Sequence, residues 1–144
     1  MRRREADFTS LEKTADGGDT WEMANQNPFG GNLGVTEGLE FFDKNFGFAG
    51  LTGASQSHSS LYVTRDGGTT FTELQLPLET VTELPPLAKE LNFTIENYKY
   101  CEMPKKKEDI LTIKLLTGAG EIQGIRFESK DNGETWAYAG ISVE

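Results

Sequence analysis

Three octapeptides constrain this chain more than anything else in it. Thr14-Ala15-Asp16-Gly17-Gly18-Asp19-Thr20-Trp21, Thr64-Arg65-Asp66-Gly67-Gly68-Thr69-Thr70-Phe71 and Ser129-Lys130-Asp131-Asn132-Gly133-Glu134-Thr135-Trp136 align without a gap. Each reads Ser/Thr, any residue, Asp, any, Gly, any, Thr, aromatic, with Phe71 standing where the outer copies carry Trp. The aspartates are 50 and 65 residues apart. Self-similarity at such a period signals a repeated supersecondary unit. Four short strands per repeat fit the shorter interval, and an insertion accounts for the longer one.

The pattern has the chemistry of a turn between two strands. An Asp side chain accepts hydrogen bonds from backbone N–H groups two or three residues on, replacing ladder bonds lost at a bend. Gly at a fixed following position supplies a positive φ without steric cost. Thr and the aromatic residue then re-enter an extended strand, where such side chains pack well. The opening Ser or Thr adds a second side-chain bond. This assigns Thr14, Asp16, Gly18, Thr20 and Trp21 to structure, together with Thr64, Asp66, Gly68, Thr70 and Phe71, and Ser129, Asp131, Gly133, Thr135 and Trp136. Neither metal binding nor catalysis is expected of the three aspartates.

Composition agrees with many short strands. The 144 residues include 16 glycines, nine Phe, four Tyr and two Trp, which suits tight turns and filled sheet faces. A formal net charge of -9 repels phosphate backbones, so nucleic acid is not an expected partner. Two basic runs depart from this balance. Arg2-Arg3-Arg4 reads as a frayed terminus, and Lys105-Lys106-Lys107 as the charged tip of a hairpin. The single cysteine, Cys101, is expected to be a buried structural thiol. No apolar stretch reaches membrane-spanning length, and the N-terminus lacks the apolar core of a signal peptide.

The three octapeptides resemble the Asp-box, or BNR, repeat of sialidases, sortilin-type receptors, xyloglucanases and photosystem II stability/assembly factors. In that family the box joins the third and fourth strands of a propeller blade at the outer rim. The resemblance implies an all-β fold, a partial β-propeller of about two and a half four-stranded antiparallel blades. It specifies architecture rather than activity. It also implies an extracytoplasmic or cell-surface location.

With the boxes as anchors, residues 1–24 form half a blade, 33–76 a full blade, 77–92 an insertion and 93–144 a further blade. Strands are expected at 8–13 and 21–23. In the second blade they fall at 35–42, 46–51, 60–64 and 70–76, with a turn at Asp43-Lys44-Asn45. In the third they fall at 93–103, 110–116, 123–129 and 135–139. Leu111, Ile113 and Leu115 lie on one face of their strand, with Ile110 and Leu116 on the other, as a blade sandwiched between neighbours requires. Residues 84–91 read either as a helical turn after the prolines or as a loop. Because propellers need at least four blades to close, further blades or self-association are expected to cover the exposed blade faces.

Searching for chemistry returns little. One histidine and one cysteine do not make a zinc site, and no metal or cofactor is expected. A sialidase-type site uses three arginines on a carboxylate, and only Arg65 and Arg126 lie outside the N-terminal run. Glu37, Glu40 and Asp43 are the first carboxylates to consider for a glycosidase pair, without a pattern that singles them out. The small-residue loop around Ser55, Gln56 and His58, with the turns at 25–32, is the expected ligand-facing surface. These readings converge on a non-catalytic binding or scaffold propeller that recognises a protein or glycan. The alternative is a fragment of a glycoside hydrolase whose catalytic residues lie in further blades.

Overall fold

The structure, a computed structural model, describes residues 2–3, 9–25, 34–53, 59–118 and 123–142. The described chain is predominantly β and divides into two compact units, Met1–Leu74 and Gln75–Glu144.

In the first unit, β1 (Arg2–Arg3), β2 (Thr9–Lys13) and β3 (Glu22–Asn25) form a three-stranded antiparallel sheet in that order. Arg2 and Arg3 of the run expected to fray are therefore paired, Arg2 opposite Ser10 and Arg3 opposite Thr9. A backbone ladder holds them regardless of what their side chains do. The second sheet is an antiparallel meander of β4 (Gly34–Phe41), β5 (Gly47–Gly53), β6 (Ser59–Thr64) and β7 (Thr72–Glu73). Ala49, Leu51 and Tyr62 share one face and form a buried cluster on which Leu39 and Phe71 pack. Phe48 and Leu61 are also buried. The fourth strand is much shorter than the expected 70–76, because Thr70 is still tied into the preceding turn and pairing ends just after Leu74 N–H donates to the Leu61 carbonyl at 2.8 Å. At Gly47 a Cβ would overlap both the Phe41 ring and the Glu40 carbonyl, so glycine lets the β4–β5 hairpin close.

The second unit opens with a 3₁₀ turn at Leu78–Thr80 and the helix α1 (Pro86–Leu91), which settles the two readings of that segment in favour of helix. Pro86 occupies its first position, where a missing N–H costs nothing, and Asn92 ends it in the left-handed region at φ 56°. The expected strand at 93–103 is mostly absent. Thr94 and Asn97 instead form a capping box around a second 3₁₀ turn, Ile95–Asn97, which spends the local backbone groups before a ladder can start. Strand pairing begins only at β8 (Tyr100–Cys101), pauses at buried Pro104 and resumes as β9 (Lys105–Lys107). Both pair with the same strand, β10 (Ile110–Leu116), one residue out of step. The lysine run is thus a strand, and the hairpin tip lies at Glu108 and Asp109, with Glu108 at φ 56°. Two further strands, β11 (Ile125–Ser129) and β12 (Ala137–Ile141), complete the antiparallel order β8-β10-β11-β12.

One face of this sheet is the core of the unit. Leu115, Ile125 and Phe127 are buried with Tyr98, and Leu84, Phe93, Ile95, Trp136 and Tyr138 pack around them. Tyr138 stands edge-on to Phe127 with centroids 6.2 Å apart, and its hydroxyl donates to the Glu83 carbonyl at 2.9 Å. Cys101 is half-buried at the margin of this cluster rather than fully enclosed. The opposite face, expected to be partly apolar, carries Ile110 and Leu116 only at its ends. Between Ile110 and Leu116 it presents Thr112 and Lys114, and across the ladder Arg126 and Glu128. It is a charged face.

Candidate functional site

The three octapeptides form the same turn three times. Asp16 lies in the bend between β2 and β3, Asp66 between β6 and β7, and Asp131 between β11 and β12. In both four-stranded meanders this is the connection from third to fourth strand. The opening hydroxyl does two jobs. Thr14, Thr64 and Ser129 donate to one Asp carboxylate oxygen at 2.7–2.8 Å. The hydroxyl oxygens of Thr14, Thr64 and Ser129 in turn accept from the N–H of Gly18, Gly68 and Gly133 at 3.0, 2.9 and 2.7 Å. The carboxylate then reaches four residues on rather than the expected two or three. One oxygen accepts from the N–H of Thr20, Thr70 and Thr135 at 2.8–2.9 Å. The other accepts from the same threonine's hydroxyl at 2.5–2.6 Å.

The glycines make this wrap possible. Two consecutive residues take positive φ in every copy: Gly17 and Gly18 at 77° and 103°, Gly67 and Gly68 at 73° and 95°, Asn132 and Gly133 at 59° and 81°. Asn is the residue other than Gly that most readily tolerates this region, which explains why it can replace the first glycine of the pair in the third copy. At Gly68 there is a second reason, since a Cβ would overlap Leu11 of β2. Asn25 adds a tie from the first sheet to the same turn, its amide donating to the Thr69 carbonyl at 3.0 Å. Asn25, the first residue of the 25–32 turns expected to face a ligand, instead ends β3 and ties it to the second turn.

The aromatic position closes the loop. The indole N–H of Trp21 and of Trp136 donates to the carbonyl of the box glycine, Gly18 or Gly133, at 3.2 Å in each case. Phe71 has no donor and instead packs on the second sheet's core. Trp136 packs against the core of the second unit, whereas Trp21 is 51% exposed.

Electrostatically the three carboxylates behave as one. Asp16, Asp66 and Asp131 are each lowered to about 2, first by the hydroxyl of the threonine four residues on and then by that residue's N–H. A carboxylate held this low, with its lone pairs committed to the turn, is a poor proton acceptor and does not carry a proton at neutral pH. The geometry makes these groups fasteners.

The remaining candidates separate. Arg65 lies with its guanidinium 4.8 Å from the Phe46 ring centroid, a cation–π contact. Arg126 sits in the other unit, where it donates to the Ala139 carbonyl at 2.9 Å. Asp43 accepts from the N–H of Asn45 and of Phe46, both at 2.7 Å, and so shapes the β4–β5 turn. Glu40 is exposed, and the side chain of Glu37 lies outside the described residues. Ser55, Gln56 and His58 also lie outside them, as do most of the 25–32 turns. In the first unit an open cleft of about 420 Å³ runs between the first two octapeptide turns, lined by Lys13, Thr20, Lys44, Asn45 and Asp66 among others. The hydroxyl of Thr20 and the carboxylate of Asp66 are already engaged within their turns. Among the described residues no group of His, Cys, Asp and Glu is placed to hold a metal, and no helix is long and apolar enough to cross a membrane.

No family model, no curated protein and no solved structure matches the chain.

Proposed function

We propose that this chain is a segment of an Asp-box β-propeller and works as a non-catalytic scaffold or binding module, recognising a protein or a glycan at the cell surface or outside the cytoplasm. The observation that carries the reading is the recurrence of one side-chain-fastened turn at the third-to-fourth strand connection of both four-stranded meanders, and again between β2 and β3. Repetition of a strand unit together with its rim turn is how a propeller blade is specified. The turns use their carboxylates for folding, which leaves recognition to loops and sheet faces. Further blades, or other copies of the chain, would complete the assembly.

Exposing the chain to a panel of aryl-glycosides and to an array of neutral and acidic glycans tests this. Retention on particular glycans without turnover is the expected result. Robust turnover lost on changing a single carboxylate would overturn it in favour of a hydrolase.

A further inference from the structure

We infer that Asn132 is the chain's site of spontaneous deamidation and that the third octapeptide turn gates the reaction, which proceeds only when that turn opens. The chemistry needs nothing but water. The Gly133 backbone nitrogen gives up its proton to solvent and attacks the Asn132 side-chain carbonyl carbon. A C–N bond forms, and the side-chain nitrogen leaves as ammonia, so that a five-membered cyclic imide remains. Water then opens the imide at either carbonyl and leaves aspartate or isoaspartate at position 132. No electrons are exchanged with a third party.

The sequence singles this residue out. Of seven asparagines only Asn132 precedes a glycine. The other six are followed by Gln26, Pro28, Leu33, Phe46, Phe93 and Tyr98. A side chain on the following residue crowds the attacking nitrogen, and at proline that nitrogen carries no proton to lose. Asn132 is also exposed, so water reaches the site. Asp16-Gly17 and Asp66-Gly67 could close the same ring in the other two turns. Both oxygens of those carboxylates are bonded to Thr20 or Thr70, and an ionised carboxylate resists attack by a nucleophile.

The closed turn withholds the nucleophile. The Gly133 N–H donates to the Ser129 Oγ at 2.7 Å, the shortest of the three equivalent bonds. That oxygen's own proton is donated to the Asp131 carboxylate at 2.8 Å. Asp131 is held at about 2 and makes a poor final acceptor, so the amide proton has a partner but no base. Gly133 is tied a second time through its carbonyl, which accepts from the Trp136 indole N–H at 3.2 Å. Losing the amide proton to solvent means breaking the bond to Ser129, and local opening of a rim turn allows that without unfolding the unit. The isoaspartate product does not close again. It adds one carbon to the main chain between residues 132 and 133, where φ values of 59° and 81° set the wrap. The reaction is thus a one-way loosening of this turn, from which Gly17 and Gly67 exempt the other two.

Incubation of the full chain in mildly alkaline buffer, followed by tryptic mapping, tests this, because fragment 131–144 carries Asn132 as its only asparagine. Loss of Asn132 is expected to be at least about tenfold slower in the folded chain than in concentrated urea. Ser129→Ala removes the acceptor of the Gly133 N–H and should speed the folded-chain reaction about tenfold. Ser129→Thr installs the residue used by the other two turns and should stay within about twofold of the parent. Tyr138→Phe removes a hydroxyl bond to Glu83 in the same unit but outside the turn, and it too should stay within about twofold. Equal rates in the folded chain and in urea would overturn the proposal, as would faster ammonia loss at any other asparagine of the folded chain. So would slower loss in Ser129→Ala, which would mean that the hydroxyl relays the amide proton to Asp131 and drives the reaction. Equal acceleration by Tyr138→Phe would also overturn it, by tying the reaction to unfolding of the whole unit. If Ser129→Ala does not hold its fold, the parent and Ser129→Thr compared with the urea-unfolded chain still decide.

Discussion

Replacing the opening hydroxyl of each octapeptide turn is one chemical deletion made in three different surroundings, and the structure orders the outcomes. Thr64 is fully buried, and its hydroxyl accepts from Gly68 N–H, also buried, at 2.9 Å. Thr64→Val keeps shape and strand preference but strands that N–H without water or partner. A buried unsatisfied donor costs about 1–3 kcal/mol, and the lost bond to the Asp66 carboxylate is largely replaced by solvent, so a loss of about 2 kcal/mol is expected. Ser129 is buried too, but its acceptor bond to Gly133 is only partly shielded, which places Ser129→Ala near about 1–1.5 kcal/mol. Thr14 and Gly18 sit where water can take over the lost bond, so Thr14→Val should cost about 0.5 kcal/mol. Because the chain divides into two units, a single unfolding midpoint would blur these differences. Urea melts should therefore be paired with amide exchange read at Gly18, Gly68 and Gly133. Equal costs at the three positions, or a Thr64→Val effect under about 0.5 kcal/mol, would refute the idea that burial of the glycine amide sets the worth of this bond.

Gly68→Ala should destabilise by about 2 kcal/mol or more, since it combines a φ of 95° with overlap onto Leu11; Asn132→Gly, at the left-handed position of the third turn, should stay within about 0.5 kcal/mol by thermal melting. Stability should rise with pH between about 2 and 4, because the turn aspartates are lowered from 3.8 to about 2 on folding and the unfolded chain binds more protons there. That slope should flatten in D16N/D66N/D131N, and an unchanged slope in melts taken across that range would contradict the assignment. Trp136→Ala should cost about 3 kcal/mol and Trp21→Ala about 1 kcal/mol, the first ring being packed in a core cluster and the second half-exposed. Acrylamide should quench Trp21 far more strongly than Trp136, and equal quenching would count against that difference.

Where the sequence was legible, the reason was local chemistry. The octapeptide turn can be read because its hydroxyls, carboxylate and glycine amide bond within the octapeptide itself, and Leu111, Ile113 and Leu115 can be read because period two survives in β10. The segment after α1 misleads for the opposite reason. Phe93, Ile95 and Tyr98 look like a strand in composition and do enter the core, but the Thr94–Asn97 capping box turns the backbone before pairing begins. The fourth strand of the second meander is overread because Thr70 and Phe71 favour strands while the turn still holds them. The charged character of the outer face of β10 is not legible, although Ile110 and Leu116 are correctly placed on it, because they are only its ends. Thr112 and Lys114 lie between them, and Arg126 and Glu128 become their neighbours only through strand register. Register is a long-range property that no single strand announces.

The account stands on the turn carboxylates being fasteners rather than reactive groups. Carboxyl carbon shifts of Asp16, Asp66 and Asp131, followed by NMR from pH 1.5 to pH 6, test this most directly. All three should titrate together at about 2. Any one of them titrating at or above the ordinary 3.8 would mean that its turn is not built from the bonds described.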